Sequence, residues 1–271
     1  MLRKGDLTQG GIITTLLQFT LPMLAGSLLQ QCYNIADTLI VGQCIGANAL
    51  AAVGSAYTLM VFLISILLGL SMGSGTVFSL QYGAGDLSAL RRSIYVSLLL
   101  IGTVTILLNV AVFLWLDPIL RWLQVPYDIY SLMRNYLWII FWGIVFTFLY
   151  NFYAALLRAV GDSVTPLWFL AVSVVLNIGL DLFLILVLDQ GIEGAAVATV
   201  IAQGTAASGI LLYTYKTRPE LRLHREDMCF DRSSLREITS FSTLTCVQQS
   251  VMNFGILMVQ GLVNSFGTVV M

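Results

Sequence analysis

The stretch SIYVSLLLIGTVTILLNVAVFLWL, residues 93–116, decides the class of fold. It contains no charged side chain, and Arg91, Arg92 and Asp117 bracket it. A helix rises about 1.5 Å per residue, so this run spans about 36 Å, more than the roughly 30 Å of hydrocarbon in a bilayer. The run is continuous and lacks the alternation of a barrel strand. It therefore predicts a transmembrane helix.

Similar runs fill most of the chain. Charge-free segments also cover 38–85, 135–157, 194–215 and 238–271, and residues 163–188 carry one charge, Asp181. Hydrophobic residues make up 58% of the 271 residues and charged ones 10%, against about 45–50% and about 25% in soluble domains. We predict an all-α membrane protein with spans at roughly 12–41, 51–81, 93–116, 132–157, 165–188, 193–215 and 239–266.

Charge and motifs exclude several classes of function. The formal net charge is −1, which argues against a nucleic-acid partner. The sequence has no GxSxG, HExxH or P-loop motif, so we expect neither an enzyme nor an ATP-driven pump. The four cysteines lack CxxC spacing, and we expect no cofactor. Any transport must then use an ion gradient or be passive.

Lysine and arginine predict the orientation. With a cytoplasmic N-terminus, the outer loops hold only Arg121 and Arg134, whereas the inner segments hold the other eleven basic residues. These are Arg3, Lys4, Arg91, Arg92, Arg158, Lys216, Arg218, Arg222, Arg225, Arg232 and Arg236. Eleven against two is a strong positive-inside bias. We therefore expect a multi-pass protein with its N-terminus in the cytoplasm.

The spacing of the spans predicts a half of a repeated protein. Six spans follow one another closely over 1–215, a charged segment covers 216–237, and a seventh span lies within 238–271. We interpret these as a six-helix lobe, a cytoplasmic linker and the start of a second lobe whose remainder is missing. The chain would then be half of a pseudo-symmetric twelve-helix transporter.

Asp37 is the first candidate functional residue. It lies towards the outer end of span one, where a carboxylate in hydrocarbon is unfavourable by about 2.5–3.5 kcal/mol and needs a polar partner or a cavity. Tyr33 and Asn34 share its helix face at spacings of four and three. The alternative is that Asp37 lies at the water boundary and only ends the helix.

Asp181 is the second candidate and lies deeper. Apolar residues flank it, Asn177 is one turn away on the same face, and Asp189 marks the outer end about 12 Å further on. Such a carboxylate can exchange a proton or coordinate Na⁺ with oxygen neighbours. Thr199 on span six lies at a comparable depth and could complete a polar pocket. The alternative is a structural hydrogen bond between helices.

Five motifs in order resemble the multidrug and toxic compound extrusion (MATE) transporters. They are Pro22 followed by NIADTLIVG (34–42), QYGAGD (81–86), LRAVGDSVTP (157–166), LNIGLD (176–181) and GIEGAAVATVIAQ (191–203). The resemblance covers essentially the whole chain. It implies a lobe of six helices beside a central cavity, which opens alternately to the two sides of the membrane.

The resemblance also implies a site and an activity. Its cation site carries over onto Asp37, Asn177, Asp181 and Thr199, with Tyr33 and the carbonyl of Ala195 nearby. We expect export of cationic or amphipathic drug-like molecules through the inner (plasma) membrane, in exchange for H⁺ or Na⁺. Span seven departs from the pattern, because residues 238–271 contain no Asp or Glu.

Two alternatives stay open at this point. One is a flippase of the same superfamily that moves a lipid-linked oligosaccharide. Such proteins tend to need cationic residues for the pyrophosphate, and the spans hold no Lys or Arg apart from Arg134 at the outer edge of the span 132–157. The other is a truncated lobe that does not transport and only assembles with its missing partner.

Overall fold

A computed structural model describes residues 12–228 and 231–266. They form eight α-helices, and no strand occurs within these ranges. The helices are α1 (Ile12–Cys44), α2 (Ala47–Gly83), α3 (Leu87–Trp122), α4 (Tyr127–Trp142), α5 (Ile144–Ala159), α6 (Val164–Leu182, continued by a π turn over Phe183–Val187), α7 (Gly191–Thr217) and α8 (Arg232–Ser265). The all-α prediction is confirmed.

Most of these helices can cross a membrane. Five of the described helices, namely α2, α3, α6 with its π turn, α7 and α8, are long and apolar enough, and α4 with α5 adds a sixth, bent span. These six spans are one fewer than the seven predicted, and α1 is the helix that is not counted. With 33 residues, α1 is about 50 Å long, so its composition and not its length separates it from the others. The chain is a multi-pass membrane protein.

The predicted fourth span, 132–157, is two helices rather than one. The axes of α4 and α5 meet at 48° across Gly143. A Cβ at Gly143 would lie 2.8 Å from Cγ2 of Val200 on α7. The break therefore lies where a side chain of α7 comes close to the backbone of Gly143. Asn109 on α3 donates to the carbonyl of Phe141 at 2.9 Å and satisfies an acceptor at the break. Inside a bilayer such a partner has to come from protein.

Apolar side chains occupy both the interior and the surface. The core lies among α2, α3, α4 and α5, where Phe78 and Phe152 are fully buried with their rings 6.0 Å apart and nearly perpendicular. On the outside, Leu114 and Val175 are 70% and 73% exposed. An apolar surface of this extent fits lipid as the surrounding solvent.

The loops between the helices lie in two groups, one at each end of the bundle. The loops around 45–46, 123–126 and 188–190 form one end, called here the far end. The turns at 84–86 and 160–163 and the segment 218–231, as far as the structure describes it, form the other, called the linker end.

Ion pairs hold the linker segment against the linker end. Arg218 pairs with Asp162 at 3.3 Å, and Asp227, 8% exposed, pairs with Arg91 at 3.0 Å. Burial opposes ionisation of Asp227, but the backbone N–H of His224 and the Arg91 guanidinium together lower the pKa of its carboxyl below the ordinary value. The segment is therefore anchored on α3 and on the turn before α6.

Candidate functional site: a buried carboxyl pair

The predicted polar residues converge near the far end. Asp37 lies on α1, Asn177 and Asp181 lie on α6, and Thr199 lies on α7. All four are buried, with Asn177 and Asp181 fully so. Asp37 is seven residues from the end of α1 and Thr199 is eight from the start of α7, depths of about 10–12 Å. Helix α1 and the consecutive helices α6 and α7 thus surround one pocket.

Asp37 and Asp181 face one another across this pocket. Their carboxyl groups are close neighbours, near enough for each to feel the charge of the other. One oxygen of each carboxyl, Oδ1, is fully buried and has no hydrogen-bond partner among the described residues. Two carboxylates at such close range repel each other strongly when both are ionised. The pair therefore favours a proton or another cation between its oxygens.

Asn177 joins the carboxyl pair to α7. In the amide orientation that satisfies both groups, its nitrogen donates to Oδ2 of Asp181 at 3.0 Å and its oxygen accepts from the backbone N–H of Thr199 at 3.3 Å. In the opposite orientation the nitrogen donates to Oγ1 of Thr199 at 3.4 Å. Only the first orientation gives the buried carboxyl a donor, and buried polar groups are normally hydrogen-bonded.

Two tyrosines complete the pocket, and the sequence indicated only one of them. Tyr33 donates its hydroxyl to Oγ1 of Thr199 at 3.3 Å. Tyr136 on α4 is 4% exposed and lies near Tyr33 and both carboxyls. In sequence it is a tyrosine at the outer boundary of a span, where an aromatic belt is the ordinary expectation. It lies nine residues into α4, which begins at Tyr127, five residues before the predicted span.

Asn34 makes its hydrogen bonds elsewhere. Its amide nitrogen donates to Oε1 of Gln31 at 3.2 Å and to the hydroxyl of Tyr57 on α2 at 3.1 Å. A helix advances about 100° per residue, so Asn34 is turned by about 60° from Asp37 and faces α2. Ala195 is fully buried on α7, one turn before Thr199. A role for either residue in ion binding stays a prediction.

The chemistry available in the pocket is that of oxygen donors. Carboxylate, amide and hydroxyl oxygens are the ligands that hard cations prefer, and a carboxyl pair can equally carry a proton. The described residues contain no cluster of three or more His, Cys, Asp or Glu side chains that could hold a metal ion.

The fold and pocket define a polytopic helical membrane protein with sequestered carboxyls, a feature that in such proteins marks ion or substrate pathways. Comparison with known families makes this specific. The MatE family model matches residues 22–183, more than half of the chain, and the chain belongs to this family. Members of the family are transporters and not enzymes.

Individual relatives agree with this assignment. The chain is 34% identical over 97% of its length to the probable multidrug resistance protein YpnP of Bacillus subtilis, of which it covers 58%. It is 31% identical over 76% of its length to the multidrug export protein MepA of Staphylococcus aureus, covering 46% of it. The chain thus spans about half the length of the curated relatives it matches.

A solved structure supports the fold. The outward-facing conformation of a multidrug resistance transporter of the MATE family and MOP superfamily matches with a TM-score of 0.87. The match covers 94% of this chain and 57% of that one, at 22% identity. At this identity the likeness concerns the fold alone. It extends into α8, because the residues before α8 are only 231 of the 271.

Proposed function

We propose that this chain forms the first half of a secondary active exporter that exchanges cationic or amphipathic drug-like molecules for H⁺ or Na⁺. The observation that carries the proposal is the buried pair of Asp37 and Asp181, contributed by two different helices of a MatE family member. The names of the relatives, multidrug resistance and multidrug export proteins, support small organic molecules as the substrate class.

The proposed coupling follows from the charge of the pocket. With a cation or a proton between the carboxyls, α1 and α6 are held together at Asp37 and Asp181. Without it, two negative charges repel inside a region of low dielectric, and the helices separate or admit a cationic substrate. Ion and substrate then favour different conformations, so the gradient of one drives the movement of the other.

The arrangement in the membrane is part of the proposal. The linker end, with most of the basic residues, faces the cytoplasm of a cell bounded by the inner or plasma membrane. Residues 1–215 form the first lobe, 216–237 the linker and 238–271 the beginning of a second lobe, whose remainder is the expected partner. An acidic pocket disfavours a pyrophosphate, so the flippase alternative is not retained.

The test compares Asp181→Asn with Asp189→Asn in the full-length exporter of which this chain would be the first half. Asp189 is an exposed aspartate with a φ of 51°, a conformation that asparagine tolerates, and therefore serves as the matched control. Proteoliposomes loaded with ethidium receive either an inward pH gradient or an inward Na⁺ gradient. The wild-type chain and the control release the dye under one of the two gradients, which identifies the ion, and Asp181→Asn does not.

Ion binding by the solubilised chain is measured in parallel. Adding Na⁺ or ethidium to the weakly buffered protein should release protons from the wild type and less from Asp181→Asn. Equal release from both proteins would refute the role of the pair.

A further inference from the structure

The contact between α2 and α8 runs almost the whole length of both helices. It connects the helices before the linker to the segment that follows it, and its hydrogen bonds involve none of the four pocket residues. Its hydrogen bonds include that of Ser74 with Ser242 in the linker-end half and that of Ser55 with Asn264 at the far end. The 22 residues between Ser242 and Asn264 cover about 33 Å. Different groups of α2 and α8 make this contact at its two ends.

Near the linker end the two backbones touch. A Cβ placed on Gly69 would lie 2.4 Å from Cα of Cys246, and one on Gly73 would lie 2.3 Å from Cα of Ser242. Carbon atoms pack at about 3.5–4.0 Å, so no side chain fits at either glycine. Glycines four residues apart, facing small residues with the same spacing, allow this approach between membrane helices.

Short hydrogen-bonding groups and a third helix reinforce this contact. Ser242 donates to the carbonyl of Leu70 at 3.1 Å, and its hydroxyl lies 3.4 Å from that of Ser74. Val77, Val96 and Ile238 form a buried apolar cluster of α2, α3 and α8 beside it.

At the far end, long polar side chains bridge the helices. Oδ1 of Asn264 accepts from Ser55 at 3.2 Å and from Gln260 at 2.8 Å, while its amide nitrogen donates to the carbonyl of Leu123 at 3.0 Å. Thr58 donates to Oε1 of Gln260 at 3.3 Å. Asn264 is only 2% exposed and is the centre of this network. Rings fill the space between the two ends, with Phe62 and Phe254 5.8 Å apart.

We propose that α2 is a docking surface on which α8 pivots, fixed at Gly69 and Gly73 and held at the far end by a releasable latch centred on Asn264. The backbone contact cannot widen without leaving a void that no nearby side chain fills. The amide and hydroxyl groups of the latch, in contrast, can exchange their partners for water at the end of the bundle. The segment after the linker would therefore tilt about the glycine pair and open the far end.

The experiment measures distances by spin labels on exposed positions in the 271-residue chain, reconstituted in lipid. One double-cysteine variant reports on the linker-end half, Thr76→Cys with Ser240→Cys, and another on the far end, Asn48→Cys with Leu262→Cys. The native cysteines are first replaced by alanine at Cys32, Cys44, Cys229 and Cys246. We expect one narrow distance at the linker-end half and a second, longer population at the far end.

Two substitutions separate the pivot from the latch. Gly73→Ala should lengthen the linker-end distance by about 1 Å or more, because the new Cβ must move from 2.3 Å to a normal separation. Gly54→Ala is the matched control on the same helix, where a Cβ meets nothing within 4 Å, and should leave the distance unchanged. Asn264→Ala should increase the longer far-end population and leave the linker-end distance narrow.

Several results would overturn the proposal. Equally narrow distributions at both ends, with no response to Asn264→Ala, would mean that α8 is fixed along its whole length. Equally broad distributions would mean that the glycine pair is not a pivot. If a label pair disturbs the fold, a disulfide between Ser74→Cys and Ser242→Cys tests the pivot independently, and it should form without broadening the far-end distances.

Discussion

Replacing Asn177 by leucine tests whether the polar pocket is a connected unit. The side chain is fully buried and of similar size to leucine, so the substitution mainly removes hydrogen bonds and creates little cavity. It takes away the donor to Oδ2 of Asp181 at 3.0 Å and the acceptor for the backbone N–H of Thr199 at 3.3 Å. The carboxyl of Asp181 then loses its one amide donor while it remains out of water.

The expected loss in the free energy of unfolding follows from those contacts. Leaving a buried polar group without its partner reduces the free energy of unfolding by about 1–3 kcal/mol. An average hydrogen bond between membrane helices is worth only about 0.6 kcal/mol, so a larger loss marks a desolvated carboxyl. If Asn177→Leu destabilises the protein through Asp181, its effect on the free energy of unfolding should be smaller by at least about 1 kcal/mol in a chain that already carries Asp181→Leu.

The assay is a double-mutant cycle of unfolding in mixed detergent micelles, followed by the fluorescence of the five tryptophans. The cycle combines Asn177→Leu with Asp181→Leu. A control cycle combines Asn109→Leu with Asp181→Leu, because Asn109 bonds to the carbonyl of Phe141 at 2.9 Å and not to the pocket. Only the first cycle should show coupling.

Additive losses in both cycles, within about 0.5 kcal/mol, would refute the reasoning. Asn177 would then be a packing residue that happens to lie beside Asp181. Equal coupling in both cycles would indicate a general effect of Asp181→Leu on the fold, and would equally remove the support for a local unit.

Three further outcomes follow from other contacts. Gly143→Ala should destabilise the chain by about 1–3 kcal/mol, because its Cβ would lie 2.8 Å from Val200, and the unfolding midpoint measures this. The lowered pKa of Asp227 means that its pairing with Arg91 stabilises the fold above the ordinary carboxyl pKa of about 4 and loses this effect as the pH falls through the lowered pKa. Asp227→Asn should therefore lower the unfolding midpoint at pH 7, and by progressively less as the pH is lowered through that range. Asp162→Ala should cost about 1 kcal/mol, since Asp162 accepts a backbone N–H in the first turn of α6 at 3.0 Å, and Asp162→Asn should restore most of it.

Much of the helical architecture could be predicted from the sequence. The long charge-free runs indicate where helices cross the membrane, because a charge inside hydrocarbon is too unfavourable to occur without a reason. The break at Gly143 could not be predicted from them. An apolar run has the same composition whether it is straight or bent, and the bend depends on the approach of Val200 and on the bond from Asn109.

The candidate site shows the same division. Asp37 and Asp181 were detectable because each is a charge in an apolar segment, and Asn177 because it lies one turn from Asp181. Tyr136 was missed because a tyrosine near the end of a span is common in membrane proteins. Asn34 has the right spacing, but its side chain bonds to Tyr57 on a neighbouring helix, which a single-helix argument does not include.

By itself the sequence determined that this chain resides in a bilayer, where its helices lie and which few polar groups they carry into the apolar region. Hydration energies decide these properties, and they depend only on which residues follow one another. Tertiary structure alone decided that two carboxyls from α1 and α6 share a pocket and that α8 lies on the glycines of α2. Both depend on distances between residues far apart in the chain, which packing sets and local composition does not.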